Sequence, residues 1–135
     1  MSPREALIAE TGEWLDRARA DLAACDALIA AGLPAEALFH AQQCAEKAMK
    51  AVLTWRQTPF SKTHDLDELK VACMALAGDL TAHLAGIGRL SQYAWRFRYP
   101  GAPYSPGRGE AEEARQTARQ LLDAVAARLE SQFGE

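Results

Sequence analysis

The sequence predicts an all-α fold, an up-and-down bundle of about five helices, and three observations carry that reading. Alanine, the strongest helix former and a poor strand former, fills 28 of 135 positions. Apolar residues recur at steps of three, four and seven along each long segment, the period of a helix with one buried face. Glycine and proline gather at the joints between those segments. A chain of this length suits a single domain over 1–135. With 49% hydrophobic and 24% charged residues, it reads as globular rather than disordered.

The elements follow in order. A first helix is predicted over 3–31. Ser2 caps it, Pro3 suits its first position, and Glu5 completes a capping box. Leu7, Trp14, Leu15, Ala18, Leu22, Cys25 and Ile29 form its apolar stripe, and Gly32 stops it. A second helix runs from Pro34 to about Gln57, burying Leu38, Ala41, Ala45, Met49, Val52 and Leu53. Its small residues allow a close helix approach. A third begins at Thr63 to Asp65, whose acids suit the positive end of the helix dipole, and ends at Gly78. A fourth, capped by Asp79, covers 80–97, with a kink or tight contact expected where Gly86 and Gly88 interrupt it. Residues 99–109 hold three prolines and three glycines and read as a loop. The last helix covers 110–132.

Several classes drop out. Asp21, Asp26, Glu36 and Glu46 break the apolar runs, so no membrane span of about 20 residues is expected. The start Met1-Ser2-Pro3-Arg4-Glu5 is no secretory signal, so the expected compartment is the cytoplasm. Cys25, Cys44 and Cys73 are odd in number and scattered, as suits buried free thiols in a reducing compartment. His40 and Cys44 share a helix face, but no third metal ligand stands at a useful spacing.

Charge is unevenly distributed along the chain. Residues 47–64 carry Lys47, Lys50, Arg56 and Lys62 without an acid. Residues 80–109 carry Arg89, Arg96, Arg98 and Arg108, again without one. If the second, third and fourth helices alternate in direction, both stretches meet at one end, giving a positive pole on a chain of net charge −3.

Three segments together resemble the HEPN domain family. Residues 37–53 contain Gln42-Gln43 followed by Glu46-Lys47 and Lys50-Ala51, similar to the family's apolar-QQ-x-x-EK-x-x-K-A block. Thr63-His64-Asp65-Leu66 is similar to its THDL signature, and Tyr93 with Arg98-Tyr99-Pro100 to its Y-x4-RYP ending. The order and spacing are kept over nearly the whole chain. The resemblance implies a helical bundle that dimerises, works beside a small nucleotidyltransferase and binds nucleotide. Some members are RNA-cleaving toxins whose Arg is followed four to six residues later by His. Here no His follows Arg89, Arg96 or Arg98, the last being His83, and acid–base cleavage needs a group that titrates near neutral pH.

The resulting expectation is a non-catalytic module that binds a nucleotide or another phosphorylated ligand. Arg98 and Arg96 would fork onto phosphate, and Tyr93 or Tyr99 would stack a base. Lys47, Lys50, Glu46 and His64 complete the candidate ligand-binding set. As a plain structural account, Glu46 and Lys50 are spaced for a surface ion pair, and one of Gln42 and Gln43 would bond another helix's backbone or Arg98. No cofactor is expected beyond Mg²⁺ carried in with a nucleotide. Expected partners are a second copy of the chain, a nucleotidyltransferase, and nucleotide or RNA. The competing readings are an RNase toxin and a pure protein-interaction module.

Overall fold

The computed structural model describes the chain except for residues 63–64, 95–99 and 102–104, and describes 91–94 through their backbone alone. It contains α1 (Pro3–Ala30), α2 (Pro34–Trp55), α3 (Leu66–Leu76), the short α4 (Thr81–Leu84) and α5 (Arg108–Phe133). Two 3₁₀ segments, Gly78–Leu80 and Ile87–Ala94, flank α4. Among the described residues there is no strand, and the all-α bundle stands.

The caps form as the sequence predicts. Ser2 Oγ accepts from the Glu5 amide at 3.0 Å, and Asp65 Oδ1 accepts from the Asp67 and Glu68 amides at 3.0 and 3.4 Å. Helix α1 ends in a Schellman motif, with the Leu33 amide reaching the Leu28 carbonyl at 2.9 Å and Gly32 at φ +76°. Helix α2 ends the same way: the Thr58 amide reaches the Leu53 carbonyl at 2.9 Å. There the left-handed residue is Gln57, at φ +52°. A side chain in that region costs ~1–2 kcal/mol, more than the ~0.5–1 kcal/mol of chain entropy that glycine forfeits on folding. Gln57→Gly should therefore stabilise by ~0.5–1 kcal/mol, read as a higher urea midpoint with unchanged slope.

Helix α2 is the hub, packed against α1, α3, α5 and the second 3₁₀ segment. Its Leu38, Ala41, Ala45, Met49, Val52 and Leu53 are all at most 1% exposed. Ala41, Ala45 and Ala48 are likewise fully buried, and their small side chains suit close helix packing.

The course of the chain is fixed by polar contacts at the two ends of the bundle. At one end Arg4 donates to the carbonyls of Gln132 (2.9 Å) and Glu135 (2.8 Å), Trp55 Nε1 donates to Gln132 Oε1 (2.5 Å), and the Trp55 and Phe133 rings meet edge-on. Helix α1 therefore starts where α2 and α5 end. Arg115 pairs with Asp26 toward the other end.

The third and fourth segments depart from the expected alternation. After Gln57 the chain doubles back, placing Phe60 on Trp14 and Lys50. Helix α3 then runs the same way as α2: Cys73 Sγ donates to the Met49 carbonyl, and Arg56 donates to the carbonyl of Leu76 at 2.8 Å. From there the chain retreats along α5, pairing Asp79 with Arg128 at 2.9 Å and Arg89 with Glu113 at 3.9 Å. The predicted fourth helix is broken rather than kinked. Ala85 is extended and Gly86 has φ +81°, so α4 stops at Leu84 and a 3₁₀ segment follows. Gly88 packs so near α3 that a Cβ there would meet the Asp67 carboxylate. Helix α3 ends at Leu76 rather than Gly78, and Asp79 bonds Arg128 instead of capping a helix. The predicted end of the fourth helix, 95–97, lies outside the described residues.

This topology separates the described parts of the two basic stretches, while Arg96 and Arg98 lie outside the described residues. Arg56 follows Trp55, which bonds Gln132 in the last turns of α5, whereas Arg89 meets Glu113 near its start, about 28 Å away by helix rise. Acids from other segments also neutralise the basic stretches: Asp21 meets Lys47, Glu113 meets Arg89 and Glu112 meets Arg108. A stretch without acids in sequence is not a stretch without acids in space.

Candidate functional site

The polar side chains of α2 form a connected file inside the bundle. Gln43 Nε2 donates to Gln42 Oε1 at 2.7 Å, Gln42 Nε2 donates to Glu46 Oε1 at 3.3 Å, and Lys50 Nζ donates to Glu46 Oε2 at 3.1 Å. Gln42 is 0% exposed, Gln43 9%, Glu46 2% and Lys50 7%. One face of one helix supplies the whole file, because residues three and four apart stack along it. The Lys50 ammonium also lies 5.5 Å from the Trp14 ring and 5.7 Å from the Phe60 ring. Those two rings meet edge to face at 6.1 Å.

The Glu46–Lys50 pair is therefore not the surface pair that spacing alone suggested. Two charges removed from water are expensive, and only good geometry and further hydrogen bonds offset that cost. Among the described residues the glutamines bond each other and Glu46, not another helix's backbone, and the expected partner Arg98 lies outside the described residues.

Lys47 points the other way, to α1. Its Nζ lies 2.5 Å from Asp21 Oδ2, and His40 Nδ1 lies 2.9 Å from Asp21 Oδ1. Asp21 is 8% exposed and was missed by sequence reasoning. A signal existed: it falls three residues after Ala18 and four before Cys25, on the edge of the buried stripe. His40 is thereby engaged as a carboxylate partner, and the described residues contain no group of His, Cys, Asp and Glu able to hold a metal.

Of the sequence candidates, the structure brings Glu46 and Lys50 together and directs Lys47 elsewhere. Arg96, Arg98, Tyr99 and His64 lie outside the described residues, as does Trp95. Tyr93 belongs to the end of the second 3₁₀ segment, and its side chain is likewise undescribed.

The three cysteines are free and buried. Burial pushes the Cys44 and Cys73 thiols up to about 12, and the nearby Asp21 charge adds to the effect on Cys44. Burial and the Asp26 carboxylate push Cys25 to about 11. Thiolate is the reactive form, so the native protein should be silent toward a disulfide reagent at pH 8 and show three reactive thiols in urea. Fast labelling of the native protein would contradict this.

Beside the aromatic pair a groove of about 410 Å³ opens, lined by Leu7, Glu10, Trp14, Thr54, Gln57 and Phe60 among others. No helix among the described residues is long and apolar enough to cross a membrane.

A comparison with curated proteins gave no match. Among solved structures, the chain is similar to the crystal structure of TT1696 from Thermus thermophilus, with 31% identity and a TM-score of 0.74 over 87% of this chain and 96% of that one. The family model for the HEPN domain matches residues 11–129. That span takes in the α2 block, the Thr63–Leu66 signature and the Arg98-Tyr99-Pro100 ending, and with it the chain belongs to the HEPN domain family.

Proposed function

We propose that this HEPN domain is a non-catalytic module that binds a nucleotide or another phosphorylated ligand, as the accessory subunit of a nucleotidyltransferase. The observation that carries the reading is the buried Gln43–Gln42–Glu46–Lys50 file. A bundle of this size gains nothing in stability from ions that apolar side chains of similar volume could replace. A file of amides and charges on the hub helix is what a polar ligand site needs behind it. In this reading Arg98 and Arg96 meet phosphate, Tyr93 or Tyr99 stacks a base, Lys50 adds positive charge beside Glu46, and His64 borders the site, while Lys47, held by Asp21 on α1, takes no direct part. The missing histidine after Arg98 removes the acid–base group an RNase of this family would use, so the module binds without cleaving. Any Mg²⁺ arrives with the nucleotide, and the active assembly contains two copies of the chain.

The test is a thermal-shift panel of nucleotides with and without Mg²⁺. A ligand at ~100 times its dissociation constant stabilises by ~2.7 kcal/mol. Arg98→Ala should abolish that shift while leaving the unliganded midpoint within ~1 kcal/mol of the original. No shift at millimolar nucleotide, or a retained shift with lost stability in Arg98→Ala, would overturn the reading.

A further inference from the structure

The groove beside Trp14 has a composition the ligand-binding reading does not use. Its walls are the Trp14 and Phe60 rings, and Gln57, Thr54 and Thr58 add neutral polar groups. Its rim carries Glu10, for which no partner is found among the described residues. A second hollow of about 240 Å³, lined by Glu10, Glu13, Trp14 and Arg17, continues it past Trp14. From Leu7 to Arg17 the trough follows α1 for about 15 Å, the length of about five residues of extended chain.

Its chemistry favours a cation. The ring pair already holds one ammonium, that of Lys50, and Glu46 neutralises that charge at 3.1 Å. The same two rings line the trough, whose charged residues are Glu10, Glu13 and Arg17. Glu13 pairs only with Arg17 of its own helix, at 3.0 Å and with both side chains more than 60% exposed, a pair easily exchanged for another. Aromatic faces with adjacent carboxylates are the usual setting for arginine and lysine side chains.

We infer that this trough docks a short, extended, basic segment of a partner protein, with an arginine or lysine side chain against Trp14 and Phe60 and its charge met by Glu10 and Glu13. The trough adjoins the α2 file through Lys50, which rests on the same two rings, but its own carboxylates, Glu10 and Glu13, are not members of that file. Its on-rate and affinity fall with salt, as expected for exposed charges.

The probe is a capped pentapeptide alternating leucine and arginine, titrated into the full chain and followed by the Trp14 indole and Gln57 side-chain amide resonances. A second peptide carries glutamate in place of arginine. The expected result is saturable shifts with the arginine peptide alone, and a dissociation constant raised at least tenfold in the double variant E10K/E13K. Both positions are exposed, so the fold should survive, and unchanged amide spectra elsewhere check it. Equal shifts with both peptides, none at millimolar arginine peptide, or unchanged affinity in E10K/E13K would overturn the proposal. Displacement of the arginine peptide by nucleotide would also overturn it, by making the trough part of the ligand site. Nucleotide binding that leaves the peptide affinity unchanged bears on the proposed function alone.

Discussion

Lys50→Ala should lower stability by ~1.5–3 kcal/mol, a sizeable share of the 5–15 kcal/mol that holds a typical domain together. The cost arises from what remains. Glu46 is 2% exposed and loses the ammonium at 3.1 Å that shares its charge. The Trp14 and Phe60 rings lose the cation above them, worth ~0.5–2 kcal/mol in a dry setting. Replacing both members, as in E46M/K50M, should cost clearly less than the sum of the single changes, because each single change already removes the shared 3.1 Å hydrogen bond. Urea denaturation of the two single variants and the double variant measures the coupling. Additive losses would show that Glu46 and Lys50 do not act as a pair.

Leu38→Ala should cost ~3–4 kcal/mol, in the range for a leucine removed from a packed interior. Leu38 is 0% exposed and sits on the hub helix, where neighbours on several sides cannot all collapse into the space. At a few degrees per kcal/mol for a chain of this length, the midpoint should fall by roughly 10–15 °C. Leu33→Ala, five residues earlier and 49% exposed, should change stability by less than ~1 kcal/mol. Similar losses at the two positions would mean that α2 is not the centre of the core.

Much of the fold could be read locally. Ser2, Asp65, Pro34 and Gly32 fix helix ends through groups within a few residues, and the stripes from Leu15 to Ile29 and Leu38 to Leu53 needed only the helical period. The direction of α3 could not be read this way. It is set by Phe60 docking on Trp14, more than forty residues away, which turns the chain back before α3 begins. The fourth segment failed as a helix for a related reason. Its inward residues Leu84, Ile87 and Leu90 are buried as expected, but the break at Ala85 and Gly86 lets them follow α5 and α3 in a tighter coil.

The candidate site was legible to a different degree. Glu46, Lys50 and the two glutamines stood out as polar residues in an apolar helix, and the structure joins them. Their burial did not follow from spacing, since an i, i+4 pair looks the same on a wet face and a dry one. Asp21 escaped because its partners Lys47 and His40 lie on another helix.

The central place of α2 bears on how the chain folds. The turn between α1 and α2 spans only residues 31–33, so these helices meet with little loop-closure entropy. Their pairing is the most local of the large helix contacts, and local contacts of this kind favour early formation, so α1–α2 is the expected nucleus onto which α5, α3 and the 3₁₀ segments add. Alterations in Ala41, Ala45 or Leu38 should therefore slow refolding. Alterations at the Asp79–Arg128 or Arg89–Glu113 attachments should instead hasten unfolding.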